Sequence, residues 1–170
     1  MTALAELMLG PAPATGGSME SLLLDVVERV AACPSLWESL VDANPRNECL
    51  SVRLPVPEDL DVHVTTWGTF CGVRLRSYAK STTVFRAVAG QITEVRPDAA
   101  GRLLPRRFAP GVSGVIRPGQ VHDLRNEGSL PAVTIVARSH RLSAMQSFDW
   151  TGTAARPVEL ATDLPGWLGT

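Results

Sequence analysis

The sequence predicts an all-β domain, an antiparallel sandwich or small barrel preceded by short helices. Two observations predict it. From Leu50 onward, "LSVRLPV", "DVHVTTW", "TTVFRAVAG", "QITEV", "GVSGVI", "VHDLRN" and "AVTIVAR" are short and rich in Val, Thr and Ile. Gly, Pro, Asp or Asn interrupts them about every 8–12 residues, a spacing that suits antiparallel strands and leaves no room for βαβ crossovers.

The chain has 170 residues, enough for one domain with a real core. Hydrophobic residues are 45% and charged residues 19%, which excludes a disordered chain. A net charge of −1 argues against an electrostatic nucleic-acid binder. No apolar run approaches the about 18 residues of a membrane span. "MTALAELMLGPAPATGG" has no basic start and no clear apolar stretch, so a secretion signal is not expected. Cys33, Cys49 and Cys71 are odd in number and widely spaced, with no CxxC pair or zinc pattern. The expectation is reduced thiols in a cytoplasmic protein, with Cys71 as a small buried hydrophobe rather than a reactive thiol.

Residues 1–17, rich in Ala, Gly and Pro, are expected to be a flexible N-terminus. Ser18 offers an N-cap, and Leu22, Leu23, Val26, Val27 and Val30 follow at helical spacing. This predicts a helix over about 19–32, stopped near Pro34, within a helical segment 18–45. "PSLWESLV" suggests a second short helix over 34–41, with Trp37 as a core residue. The barrel is expected over 46–148, with "PDAAGR" at 97–102 as a loop between strands. Arg102, Arg106 and Arg107 are expected to form solvated surface. From 149 to 170 the periodicity dissolves into an irregular tail that Trp150 and Trp167 could pin to the barrel.

"PGQVHDLRN" holds Gly119, His122 and Asn126 at a spacing that resembles the second motif of cupins. There Gly makes a tight turn, His enters the barrel as a metal ligand and Asn closes the next turn. With Gly90 of "AVAGQITEV" as the closing Gly of the first cupin motif, its ligand positions fall on Arg76, Tyr78 and Thr83. The run also resembles bacterial cysteine dioxygenases, the thiol dioxygenase branch of cupins. It offers Arg53, Trp67, Arg76-Ser77-Tyr78, Phe85 and then "AVAGQITEV" at fitting spacings. Downstream, Thr134, Val136 and Arg138, followed by Ser139, occupy that family's Ser-x-His-x-Tyr-Ser run. The resemblance covers about residues 35–145. It implies a cupin double-stranded β-helix, a small antiparallel jelly-roll barrel with N-terminal helices.

The resemblance also implies a degenerate iron site. The family binds iron through three histidines, and only His122 stands at a ligand position. A guanidinium stays protonated and has no lone pair for a cation, so Arg76 cannot replace an imidazole. The expected cofactor is none, and the expected metal ligands are none.

Strand alternation puts Arg76 and Tyr78 on one face and Thr134, Val136 and Arg138 on another. Arg53 matches the family's carboxylate-binding arginine. A pocket mouth holding Arg53, Arg76 and Arg138 beside Tyr78 and His122 is therefore expected. Few acids lie at the expected inward positions. Arginine forks suit carboxylate and phosphate, so the expected partner is a small anionic molecule, with no nucleic acid and no membrane, in a monomer or homodimer.

Three functions fit. The first is a metal-independent isomerase, cyclase or lyase of specialised metabolism, with His122 as base or acid, Tyr78 as its partner, and Arg53, Arg76 and Arg138 as substrate anchors. The second is a non-catalytic pseudo-enzyme that binds a small anion or a protein partner. The third is an iron-dependent thiol dioxygenase using His122, Tyr78 and a further ligand. Structural readings stand beside these. A one-residue register shift would turn Arg74, Arg76 and Arg138 to solvent. His122 could be a hydrogen-bonded core histidine, and Tyr78 could make only a structural hydrogen bond. His63 and His140 match no ligand position.

Overall fold

A computed structural model of the chain describes residues 17–39, 48–56, 60–140, 145–152 and 154–158. The sequence expectations for residues 1–16, for 40–41 and for Trp167 lie outside these residues. Helix α1 spans Met19–Ala31, and the Ser18 hydroxyl accepts the Ser21 N–H at 3.1 Å, capping the first turn. The end of the helix precedes Pro34, where Pro34–Leu36 forms a 3-10 turn, and residues 38–39, the last described before residue 48, are again helical.

Among the described residues eleven strands follow: β1 (Leu50–Arg53), β2 (Asp61–Trp67), β3 (Arg76–Tyr78), β4 (Thr83–Ala89), β5 (Ile92–Pro97), β6 (Leu103–Phe108), β7 (Ser113–Ile116), β8 (Asp123–Arg125), β9 (Ala132–Arg138), β10 (Met145–Trp150) and β11 (Ala155–Val158). They form a five-stranded sheet β1-β2-β9-β4-β7 and two three-stranded sheets, β11-β10-β3 and β6-β5-β8. Isolated bridges Gly72↔Arg125 and Arg76↔His122 join the smaller sheets into a second wall. All named pairings are antiparallel.

Strand alternation divides the apolar residues between two cores. Val62, Val64, Val84, Val133, Ile135 and Ala137 point outward from the five-stranded sheet and pack on Leu23, Val26, Val27 and Val30 of α1. Each of these helix side chains is buried, worth about 1.5–3 kcal/mol. The opposite face of the sheet, with Trp67, Phe85, Ala87, Ile116, Ala132 and Val136, meets Ile92, Phe108 and Leu124 across the barrel.

Gly90 turns β4 into β5 at φ +64°, and a Cβ there would meet Ala132 Cα at 2.7 Å. Gly90→Ala is therefore expected to cost about 2 kcal/mol in chemical denaturation, through both strain and overpacking.

Three sequence expectations change. Residues 103–108 are a strand, so Arg106 and Arg107 lie on β6, exposed as expected. Only Phe108 of this strand is buried and Pro105 sits within it, as an edge strand allows, so no alternation marked it. The expected irregular tail contains β11, which pairs with β10 from Ser147↔Val158 to Trp150↔Ala155. It too is an edge strand with little buried surface.

The cysteine expectation is also corrected. Cys49 and Cys71 form a disulfide, both are only half-buried, and Cys33 is free. The β1–β2 register, Leu50↔Thr66, sets Cys49 beside the end of β2. A turn in which the Cys71 N–H donates to the Gly68 carbonyl at 3.2 Å brings Cys71 back. Among the described residues, no helix is long and apolar enough to cross a membrane.

Candidate functional site

The inward side chains at one end of the barrel are polar. On β2, Asp61 and His63 share the alternation of Trp67, and Arg138 on β9 lies directly opposite Asp61. Arg53 lies opposite His63 on β1. All three neighbours converge on one carboxylate. Arg53 Nε donates to Asp61 Oδ1 at 3.0 Å, Arg138 Nη1 donates to Oδ2 at 3.1 Å, and His63 Nε2 lies 2.9 Å from Oδ1. Burial alone would raise the Asp61 carboxyl. The hydrogen bond from His63, the charge of Arg138 and the hydrogen bond from Arg53 outweigh it and hold the group well below the usual carboxylate range.

The opposite wall supplies the other half of the site. A pair of backbone hydrogen bonds locks β3 to His122: Arg76 N–H to His122 O at 2.8 Å, and His122 N–H to Arg76 O at 2.9 Å. The Tyr78 and His122 rings meet edge-on, with centroids 5.1 Å apart. The Arg76 guanidinium lies 5.5 Å and that of Arg138 5.7 Å from the Tyr78 ring centroid, within cation–π range. Tyr78 thus joins the two walls. The sequence-expected residues Arg76, Tyr78, His122 and Arg138 come together and are buried, and Arg53 reaches them through Asp61.

His122 is fully buried, at 0% exposure. Its Nδ1 sits 3.1 Å from the Gln120 carbonyl, an acceptor, so Nδ1 carries the proton. Nε2 is left as a buried lone pair with no hydrogen-bond partner among the described residues. Burial, then the Arg76 charge, pushes its pKa down to about 3, with Arg96 and Arg138 adding to the effect. The imidazole is therefore neutral near pH 7, with Nε2 placed to accept a hydrogen bond. In the ligand-free protein, the His122 ring protons are expected to show no titration between pH 5 and 8 (pH-dependent NMR); a midpoint near 6.5 would contradict the burial argument.

Arg76 is 5% exposed. Burial lowers its pKa from the ordinary value, Arg138 adds to this, and Tyr78 and Asp123 oppose it. Asp123 is itself paired with Arg125, and burial raises its carboxyl.

Sequence reasoning missed several members. Asp61 and His63 were visible only as polar positions in phase with Trp67. The expectation of few inward acids is corrected by Asp61 and by Glu94, which is fully buried and ion-paired with Arg96. Burial raises the Glu94 carboxyl against the pull of Arg96 and Arg106. Other motif residues are structural. Trp67 Nε1 donates to Thr134 Oγ1 at 2.9 Å. Asn126 Nδ2 donates to the carbonyls of Trp67, Gly68 and Leu130, and Gly119 adopts φ +74°. His140 meets Ser139 and does not join the cluster.

The donor set does not fit the iron of the cysteine dioxygenase resemblance. Thr83 and Arg76 stand at two of the first-motif ligand positions, and the guanidinium would repel a cation beside His122 and Tyr78. Among the described residues, no three His, Cys, Asp or Glu side chains are grouped to hold a metal.

No protein-family model matches the chain, and no curated protein does. Solved structures do. An uncharacterised Klebsiella pneumoniae protein with a double-stranded β-helix domain matches with TM-score 0.53 and 14% identity, over 63% of this chain and 87% of that one. The TT1209 protein of Thermus thermophilus matches with TM-score 0.51 and 17% identity, over 59% and 91%. Recombinant oxalate oxidase in complex with glycolate matches with TM-score 0.50 and 14% identity, over 59% of this chain. The chain spans about half the length of that oxidase, 55%. At these identities the likeness concerns architecture: the chain has the cupin double-stranded β-helix fold.

Proposed function

We propose that this protein is a cysteine dioxygenase-like cupin whose iron site has become a metal-independent pocket for a small carboxylate- or phosphate-bearing molecule of specialised metabolism. One observation carries the reading. Arg53 and Arg138 share one carboxylate, Asp61, and Arg138 and Arg76 both lie against the Tyr78 ring, beside His122 Nε2, which has no hydrogen-bond partner among the described residues. Buried positive charge is costly without counter-charge. Asp61 answers Arg53 and Arg138, and the Asp123 charge favours the protonated form of Arg76. A ligand carrying both an anionic group and an O–H or N–H would meet the arginines and His122 Nε2 together. Arg76 and Arg138 would hold the anion, and His122 would accept or remove the ligand's proton. Tyr78 would orient the ligand and position both cations.

A non-catalytic binding role is the second reading. Tyr78 at 2% and His122 at 0% exposure describe a closed site, which suits retention of a ligand better than rapid exchange. A thermal-shift screen with oxalate, glycolate, larger hydroxy acids and phosphate monoesters tests the pocket. At least one is expected to raise Tm in the parent and not in Arg76→Ala. A screen with no stabilising anion would remove the proposal. Turnover of a stabilising ligand that His122→Ala abolishes, with folding intact, would select the enzyme over the binding protein.

A further inference from the structure

A second chemical constellation lies at the β1–β2 edge of the same sheet. Ser51 Oγ is 3.3 Å from His63 Nδ1, and His63 Nε2 is 2.9 Å from Asp61 Oδ1. Asp61 is ionised and can only accept, so His63 Nε2 carries a proton; in the neutral ring Nδ1 then presents its lone pair to the Ser51 hydroxyl. Nucleophile, base and orienting carboxylate therefore stand in hydrogen-bonded sequence, which is the arrangement that activates a serine. The graded burial agrees: His63 and Asp61 are buried, whereas Ser51 is only half-buried and reachable. Asp61 is held in place by Arg53 and Arg138, so the His63 ring is fixed from behind. Thr65 Oγ1 lies 3.0 Å from Ser51 Oγ and limits its rotation.

We infer that Ser51, His63 and Asp61 form a nucleophilic relay that performs acyl transfer on small esters or thioesters and shares Asp61 with the arginines beside Tyr78 and His122. Ser51 Oγ attacks the acyl carbon while its proton passes to His63 Nδ1. The bond to the leaving alcohol or thiol breaks, and that group takes the proton from His63. Water then attacks the acyl-serine, giving a proton to His63; the acyl–Oγ bond breaks, Ser51 Oγ takes that proton back from His63, and the carboxylic acid departs. No oxidant or reductant is needed. Arg53 follows Ser51 on the same strand face, about 7 Å along. Its charge favours substrates whose acyl part bears a carboxylate or phosphate.

The test is covalent labelling of the full chain with a small fluorophosphonate, followed by intact mass and peptide mapping. One adduct is expected, on Ser51. It is expected to be absent in Ser51→Ala and to form about 100-fold more slowly in His63→Gln, the loss of a general base. Circular dichroism would confirm that both variants fold. Failure of the parent to label, an adduct on another residue, or an unchanged rate in folded His63→Gln would each overturn the inference. These outcomes leave the anion pocket untouched, because its readout is ligand-induced stabilisation that depends on Arg76.

Discussion

Asp61→Ala is expected to cost about 3–5 kcal/mol of folding stability, read as a lowered urea midpoint with an unchanged slope. The carboxylate is shared by Arg53, Arg138 and His63, and both it and the Arg138 side chain are almost fully buried. Removing it strands a buried guanidinium, and breaking such a pair costs far more than the pair contributed. Asp61→Asn keeps the shape and loses the charge, so most of the loss should persist. The acid limb supplies a second readout. A carboxyl depressed in the folded state contributes stability above its unfolded pKa of about 3.9, and loses it as pH falls toward the folded value. His122, also depressed, begins to withdraw stability earlier, as pH falls below about 6.5. Glu94 and Asp123, both raised, work in the opposite direction. The difference between parent and Asp61→Asn therefore isolates the lower window, where it should shrink. A difference that stays constant from pH 7 to 3 would contradict the ion-pair account.

Arg76→Ala is expected to weaken binding of any small anion that stabilises the parent by about 100-fold, as the loss of charge-assisted hydrogen bonds to a buried ligand requires. Arg76→Lys should recover only part of this, because an ammonium lacks the planar fork. Arg76→Met separates binding from folding. It removes the charge and keeps the side-chain volume, so the ligand-free protein should still fold while the anion response disappears. A parent and an Arg76→Met variant with equal affinity, measured by calorimetry, would place the anion elsewhere.

How much of this was legible in the sequence differed by element. Helix α1 was legible because a cap and a helical apolar stripe coincide at Ser18 and Leu23–Val30. The strands facing two cores were legible as short runs rich in Val, Thr and Ile, because burial on both faces selects apolar and β-branched residues, as in β4. Strands β6 and β11 were not, because edge strands are held by backbone ladders that leave little trace in side-chain pattern. The disulfide was hidden for a related reason: a separation of 22 residues between Cys49 and Cys71 says nothing until the β1–β2 register is known. At the site, the motif frame located Arg76, Tyr78 and Arg138, which sit on strands of fixed parity, and His122, which is bridged to Arg76 just before β8. It could not reveal Asp61 as their hub, because which inward residues touch across β1, β2 and β9 depends on register. Nor could it show that burial and neighbouring guanidiniums would hold His122 neutral.

The central claim is that the altered first motif exchanged a metal for an anion. Calorimetric titration of a stabilising carboxylate or phosphate into the chelator-treated full chain, repeated after adding ferrous iron, tests it most directly. One-site binding of the same affinity is expected in both, and none in Arg76→Ala. Anion binding that appears only with one equivalent of bound iron would contradict it.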